Sequence, residues 1–285
     1  MAMRDTSSTI LEFKDVDLRY EETWALHKVS FSLRPGETRI ILGAAGSGKT
    51  TLLKAVIGLV EVDGGNIQLF GEQVTSRKEH DLYPLRSRTG ILFQEGALFD
   101  SLSVGENVEY PLLNQQISDR RADDDPSFEA DSDKRVREAL KFVELGETFD
   151  KFPSELSGGM RRRVGIARAI VTEPPLILYD SPTAGLDPIT ANTIMAVIAK
   201  ERDVRNTASL IVTHRYQDGE LMANFRYNPD GEDLVPVSEE GQRDPHSTRT
   251  KFIVMKGGEI VFFGTRQELE SCDDEYVKRF AKREG

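Results

Sequence analysis

The eight residues from Gly43 to Thr50, GAAGSGKT, have the types and spacing of a phosphate cradle. They fit the pattern G-x-x-x-x-G-K-[ST] and stand between an apolar stretch, TRIILG, and a helix-forming one, the context that pattern requires. Gly43, Gly46 and Gly48 allow consecutive backbone N–H groups to wrap phosphate oxygens, where a Cβ would block the approach. Ala44, Ala45 and Ser47 complete the loop, and the positive end of the following helix adds attraction. Lys49 is spaced to bridge two phosphates; the Thr50 hydroxyl, with Thr51 beside it, is spaced to ligate a magnesium ion. A carboxylate for that ion comes from LILYDSPTAGLDP, residues 176–188. Four apolar residues deliver Asp180 to the end of a buried strand, where it reaches the metal shell directly or through water. Its plainer alternative is a buried Asp capping a neighbouring turn. Ser181 follows, and a hydroxyl is a poor proton acceptor near neutral pH.

These groups need elements to hold them. LEFKDVDL and KVSFSL are strand-like, and Pro35-Gly36 turns the chain into the TRIILG strand. A helix is predicted from Lys49 to a stop at Gly58, and Gly64-Gly65 then punctuates before NIQLFG. Ser103 with Glu106 three residues on is a capping box that opens a helix. Val136, Leu140 and Val143 recur at helical spacing, and Asp187-Pro188 reads as N-cap and first helical residue. Leu176 to Asp180 and Ala208 to Thr213 are continuous apolar strands, as in a sheet covered on both faces. Two polar stretches, 118–134 and 224–250, read as solvated, mobile loops, with partner-docking inserts as the alternative.

Composition bounds the answer. The 285 residues suffice for a real core, and a formal net charge of −11 argues against a nucleic-acid binder. The single cysteine, Cys272, excludes an intrachain disulfide and suits a reducing compartment. No apolar run approaches the ~20 residues that span a bilayer, and MAMRDTSST lacks the apolar core of a signal peptide. A cytoplasmic protein is expected, with any membrane role acting through a partner.

The discriminating motif is LSGGM, Leu156 to Met160, followed by RRRVGIARAI. Ser157 can cap a helix whose N–H groups, with Gly158 and Gly159 close by, form a second phosphate nest. Here the chain resembles the ATPase subunits of ABC transporters, over roughly Ile10 to Glu270. The resemblance implies an α/β fold: a P-loop NTPase core of mostly parallel sheet, an antiparallel β subdomain and a helical signature subdomain. It implies one domain over 10–270, its helical part at about 95–172, and a helical C-terminal tail over 271–285. Tyr20 matches the aromatic that stacks on adenine, and Gln94 the glutamine loop that senses magnesium and the membrane partner. Asp187 in AGLD matches the loop that crosses to a second subunit, and His214 the switch histidine at the γ-phosphate. Read by themselves, Tyr20 could be a core aromatic, His214 a satisfied strand-end histidine and Gln94 a surface hydrogen-bonder. By the same resemblance the ligands are ATP and Mg2+, held by Thr50, Gln94 and Asp180. A second ATPase subunit, most simply another copy of this chain, packs head to tail so that each ATP lies between one phosphate loop and the other LSGGM. Integral permease subunits would hold the pair on the inner face of the cytoplasmic membrane. In this family a Glu stands where Ser181 stands, so hydrolysis is expected to be attenuated, with His214 and Gln94 left to position water.

Within the family, Met160 and QEGALFDSLSVGENVEYPL resemble the ATPases of lipid transport systems that work with MCE-domain proteins, although Met160 is also compatible with neutral drift. An ATPase of another small-molecule transporter is the alternative. Soluble ABC ATPases of DNA repair carry a long coiled coil between the two phosphate motifs, and only 108 residues separate Lys49 from Ser157. Ribosome-acting types join two such domains and are basic, unlike this chain.

Overall fold

The computed structural model describes residues 9–118, 126–237 and 249–281. The chain begins with β1 (Leu11–Tyr20), β2 (Thr23–Leu33) and β3 (Thr38–Gly43), then α1 (Lys49–Val56), β4 (Gly64–Leu69) and β5 (Glu72–Gln73). There follow α2 (Tyr83–Arg86), β6 (Thr89–Leu92), α3 (Val104–Ser118), α4 (Pro126–Phe142) and α5 (Gly158–Ile170). Next come β7 (Leu176–Asp180), α6 (Pro188–Arg205), β8 (Ala208–Val212), α7 (Tyr216–Asn224), β9 (Phe225–Asn228) and β10 (Asp233–Pro236). The described chain ends with β11 (Thr250–Lys256), β12 (Glu259–Gly264), α8 (Arg266–Glu270) and α9 (Glu275–Lys278).

A six-stranded sheet runs β12-β11-β3-β8-β7-β6. Its strands from β11 to β6 are all parallel, and β12 is antiparallel at the edge. Alternate residues of each central strand enter opposite cores, because strand side chains point to alternate faces. Ile40, Ile177, Tyr179 and Ile211 pack with α3 to α7 on one side. Ile41, Leu178, Leu210 and Val212 pack with α1 and with the antiparallel sheet β2-β1-β4-β5 on the other. Continuous apolar runs thus mark a sheet with no solvated face, as their composition required. The fold is the one expected from the sequence.

Local signals explain the helix starts. Ser103 and Glu106 exchange hydrogen bonds with each other's backbone N–H at 3.2 and 2.6 Å, opening α3. Asp187 Oδ1 accepts from Ile189 and Thr190 N–H at 3.0 Å each, and Pro188 follows, opening α6.

The two polar stretches differ from expectation. Residues 126–134 lie in α4, whose inner face carries Val136, Ala139 and Leu140, with Val143 buried just past its end; residues 119–125 lie outside the described chain. Residues 225–236 are the hairpin β9–β10 rather than a loop. It is pinned by Tyr227 N–H to Asp203 Oδ2 at 2.8 Å and by Arg202 Nη2 to the Phe225 carbonyl at 3.0 Å. Leu234 packs against the core, so a polar-looking insert gains an apolar anchor; residues 238–248 lie outside the described chain. In the C-terminal tail, α9 is short, with Asp274 as its N-cap.

Candidate functional site

Four neighbouring parallel strands, β3, β8, β7 and β6, each deliver a predicted residue from the same edge of the sheet. Strand β3 runs into Gly43 to Thr50, β7 ends on Asp180, β8 leads to His214 and β6 to Gln94. Parallel pairing of Asp180 with Val212 and of Leu92 with Tyr179 sets these ends side by side. In open α/β sheets ligands bind outside the carboxyl ends of the strands, and this edge is that place.

The phosphate loop closes onto α1 through Gly48, at φ +101°, where an added Cβ would lie 2.0 Å from the Ala25 carbonyl oxygen of β2. Only glycine fits there. No side chain caps the N-terminus of α1, so its N–H groups face the loop unclaimed by side chains. Lys49 is 6% exposed, and its ammonium donates to the carbonyls of Gly43 and Ala44 at 2.8 and 2.7 Å. Burial lowers its pKa, and the charge of Asp180 opposes that shift. A polyphosphate placed against this ammonium would offset the cost of burying it.

Thr50 Oγ1 donates to Asp180 Oδ2 at 3.3 Å. Magnesium is characteristically held by one or two protein oxygens with substrate phosphates and water completing its octahedron, and this hydroxyl–carboxylate pair beside the loop fits it. Asp180 is strand-end and partly exposed, rather than the buried residue its turn-cap reading called for. Its other oxygen accepts from Ser181 Oγ at 3.1 Å. Ser181 is 7% exposed, adopts φ +52° and donates its N–H to the Val212 carbonyl. Its hydroxyl orients the Asp180 carboxylate and presents no base.

Tyr20, 53% exposed at the end of β1, is no core residue; it lies on the hairpin whose second strand abuts Gly48. His214 and Gln94 are exposed as well, Gln94 in a single 3₁₀ turn after β6. Ser157 caps α5, accepting the Met160 N–H at 3.3 Å, with Ser157 and Gly158 exposed. Gly159 is buried where a Cβ would meet Thr190. Among the described residues no hydrogen bond or ion pair joins Ser157 to the Gly43–Thr50 loop. Asp187 is exposed, its pKa lowered by the Thr190 hydroxyl and backbone N–H groups that it accepts. Leu98 packs against the core and Leu102 is half-buried, but Phe99 is 42% exposed and lies against Tyr110 at 4.9 Å between ring centres. Asn107 fastens that turn, bonding both the N–H and the carbonyl of Phe99.

One participant escaped the sequence reading. Arg162, on the helix behind LSGGM, donates to the carbonyls of Ser181, Pro182 and Ala184 at 3.3, 2.7 and 2.9 Å. It ties the signature helix to the loop that follows Asp180. An arginine inside the run RRR gave no sign of which of the three turns inward.

A loop of the phosphate-binding pattern beside a strand-end carboxylate at the carboxyl edge of a parallel sheet, with the LSGGM turn capping a separate helix, has the layout of a P-loop nucleotide-binding cassette. The sequence profile described as ABC transporter matches residues 26–184, and the chain belongs to that family. Relatives include the methionine import ATP-binding protein MetN of Brucella abortus, 37% identical over 209 residues, covering 73% of this chain and 54% of the relative. MetN of Corynebacterium efficiens is 37% identical over 196 residues, covering 69% and 52%. The chain thus spans about half the length of these relatives. The dimeric ATP-binding cassette MJ0796 in a post-hydrolysis state, bound to ADP and Pi, superposes with TM-score 0.71 at 28% identity, over 90% of this chain and 98% of that one. The cbiO1 subunit from Clostridium perfringens, part of the ABC transporter complex cbiONQ, gives 0.74 at 26% identity, over 96% and 94%. None of these names concerns lipid transport, so they give no support to the MCE subgroup expected from Met160.

Proposed function

We propose that this chain is an ATP-driven subunit of a membrane transporter, working as a pair that closes on ATP and magnesium and reopens slowly. The observation that carries the reading is the row of strand ends holding Lys49, Thr50, Asp180, His214 and Gln94, with Ser157 on a separate exposed nest. Two copies facing each other would let each Ser157 nest meet the other's phosphate loop, a closed two-fold arrangement in which nucleotide is part of the interface. The dimeric state of the similar cassette MJ0796 supports that pairing.

In such a pair, Lys49 and the N–H groups of the loop hold the β- and γ-phosphates, and Tyr20 offers its exposed ring to adenine. Thr50 and Asp180 hold the magnesium ion, with Gln94 beside it. The ion supplies charge neutralisation at the phosphates. His214 faces the γ-phosphate, and Asp187 reaches toward the partner's site. Ser181 keeps Asp180 oriented and withdraws the base. Closure is therefore preserved and hydrolysis attenuated, with slow turnover left to water positioned by His214 and Gln94.

Among the described residues no helix is long and apolar enough to cross a membrane. Coupling to transport then requires a permease, and the ridge of Phe99 and Tyr110 beside Gln94 is the contact we assign to it. The MetN relatives favour a small-molecule cargo for that permease. A hydrophobic cargo handled with MCE-domain proteins stays as the second reading, supported by Met160 and the stretch from Gln94 to Leu112. Co-expression with a candidate permease, sought first among the gene's neighbours, tests the assignment. Phe99→Glu should keep the melting temperature within a few degrees, because the ring is half exposed, and should abolish co-purification of the permease. Retained co-purification with intact folding would move the docking site elsewhere, and the identity of the permease decides between the two cargo classes.

A further inference from the structure

Asp218, on the first turn of α7, is 2% exposed, and one of its oxygens serves two hydroxyls. Oδ2 accepts from Thr183 Oγ1 at 2.5 Å and from Thr213 Oγ1 at 2.5 Å. The two threonines belong to different parts of the site. Thr183 lies in the loop from Ser181 to Asp187, and Thr213 immediately precedes His214. Thr213 Oγ1 also accepts the Arg215 N–H at 3.1 Å, and Arg215 Nη1 stands 3.8 Å from Asp218 Oδ1. From the other side Arg162 holds three carbonyls of the same 181–184 segment. The signature helix, the loop bearing Asp187 and the turn bearing His214 thus form one connected polar network.

Resting on the paired-subunit reading above, we infer that Asp218 is a positioning residue that locks the loop reaching the partner's site to the turn facing the chain's own γ-phosphate. Charge-assisted hydrogen bonds are shorter and stronger than neutral ones, and in a buried setting two that share one acceptor make the loops move as a unit. Asp218, Thr183 and Thr213 are all buried, at 2% exposed or less, so the clasp acts through the two loops it joins. What the clasp governs is how a bound nucleotide is felt by the second copy.

The test uses Thr183→Val and Thr213→Val, which keep shape and remove one hydroxyl each, their double variant, and Asp218→Asn. ATP–Mg affinity is read at protein concentrations too low for pairing, and ATP-driven pairing is read by sedimentation. The expected result is subunit affinity within about twofold of wild type, with pairing weakened about tenfold, in the usual range of coupling between sites. The double variant should pair no worse than the weaker single one, because either removal opens the same clasp. A merely structural role would lower affinity and pairing together, and that outcome overturns the inference. So would unchanged pairing, or single effects that multiply in the double variant. If wild type binds ATP–Mg yet never pairs, the paired-subunit reading itself fails and takes the clasp with it. Should Asp218→Asn fail to fold, the threonine variants decide alone.

Discussion

Ser181→Glu should raise steady-state phosphate release from the assembled complex by ~10²–10⁴-fold, the usual worth of a general base. ATP affinity should change little, because Lys49, Thr50 and Asp180 keep their places. The backbone permits the change: Ser181 sits at φ +52°, and Glu21, Glu144, Glu173 and Glu232 of this same chain occupy φ between 49 and 61°. The hydrogen bond from Ser181 to Asp180 is lost, a small term beside the gain of a carboxylate aimed at water. Equal rates in the two proteins would show that this chain's base lies outside the Asp180–Ser181 motif.

Lys49→Ala should weaken ATP–Mg binding by about 1.5–3 kcal/mol, roughly 10–150-fold, the range of hydrogen bonds to charged groups. ATP-driven pairing should vanish with it. The buried ammonium donates to the neutral Gly43 and Ala44 carbonyls, so its removal leaves no buried unpaired charge there and the fold should hold. Calorimetry checks the affinity. Undiminished binding would remove the phosphate loop from the account.

Much of the candidate site is placed by local sequence signals, because its parts are local. Eight residues carry the phosphate loop, five carry the signature nest, and strand β7 announces Asp180 by its own apolar run. Continuous apolar strands gave the doubly covered sheet for the same reason. What escaped was tertiary or masked by composition. The hairpin β9–β10 holds only a few apolar residues, and its acidic surroundings read as loop. Yet Asn228-Pro229-Asp230-Gly231 between them is turn chemistry that pairs Tyr227 with Leu234. The N-terminal half of α4 hid behind serines and aspartates, although Pro126 is well suited to a first helical turn. No local pattern could single out Arg162 or Asp218, since their partners lie far away in sequence on other elements. On the proposed function the cargo is selected in the permease, so Met160 and the names of the relatives point different ways.

The claim at the centre is that the unaltered protein closes firmly on ATP–Mg and opens slowly. Mixing it with labelled ATP and magnesium, then following subunit pairing and the identity of the bound nucleotide over time, tests that most directly. The account predicts pairs that form with ATP–Mg, do not form with ADP, and hold mostly uncut ATP over many minutes. Rapid conversion to ADP with return to single subunits, or no pairing at all, would contradict it.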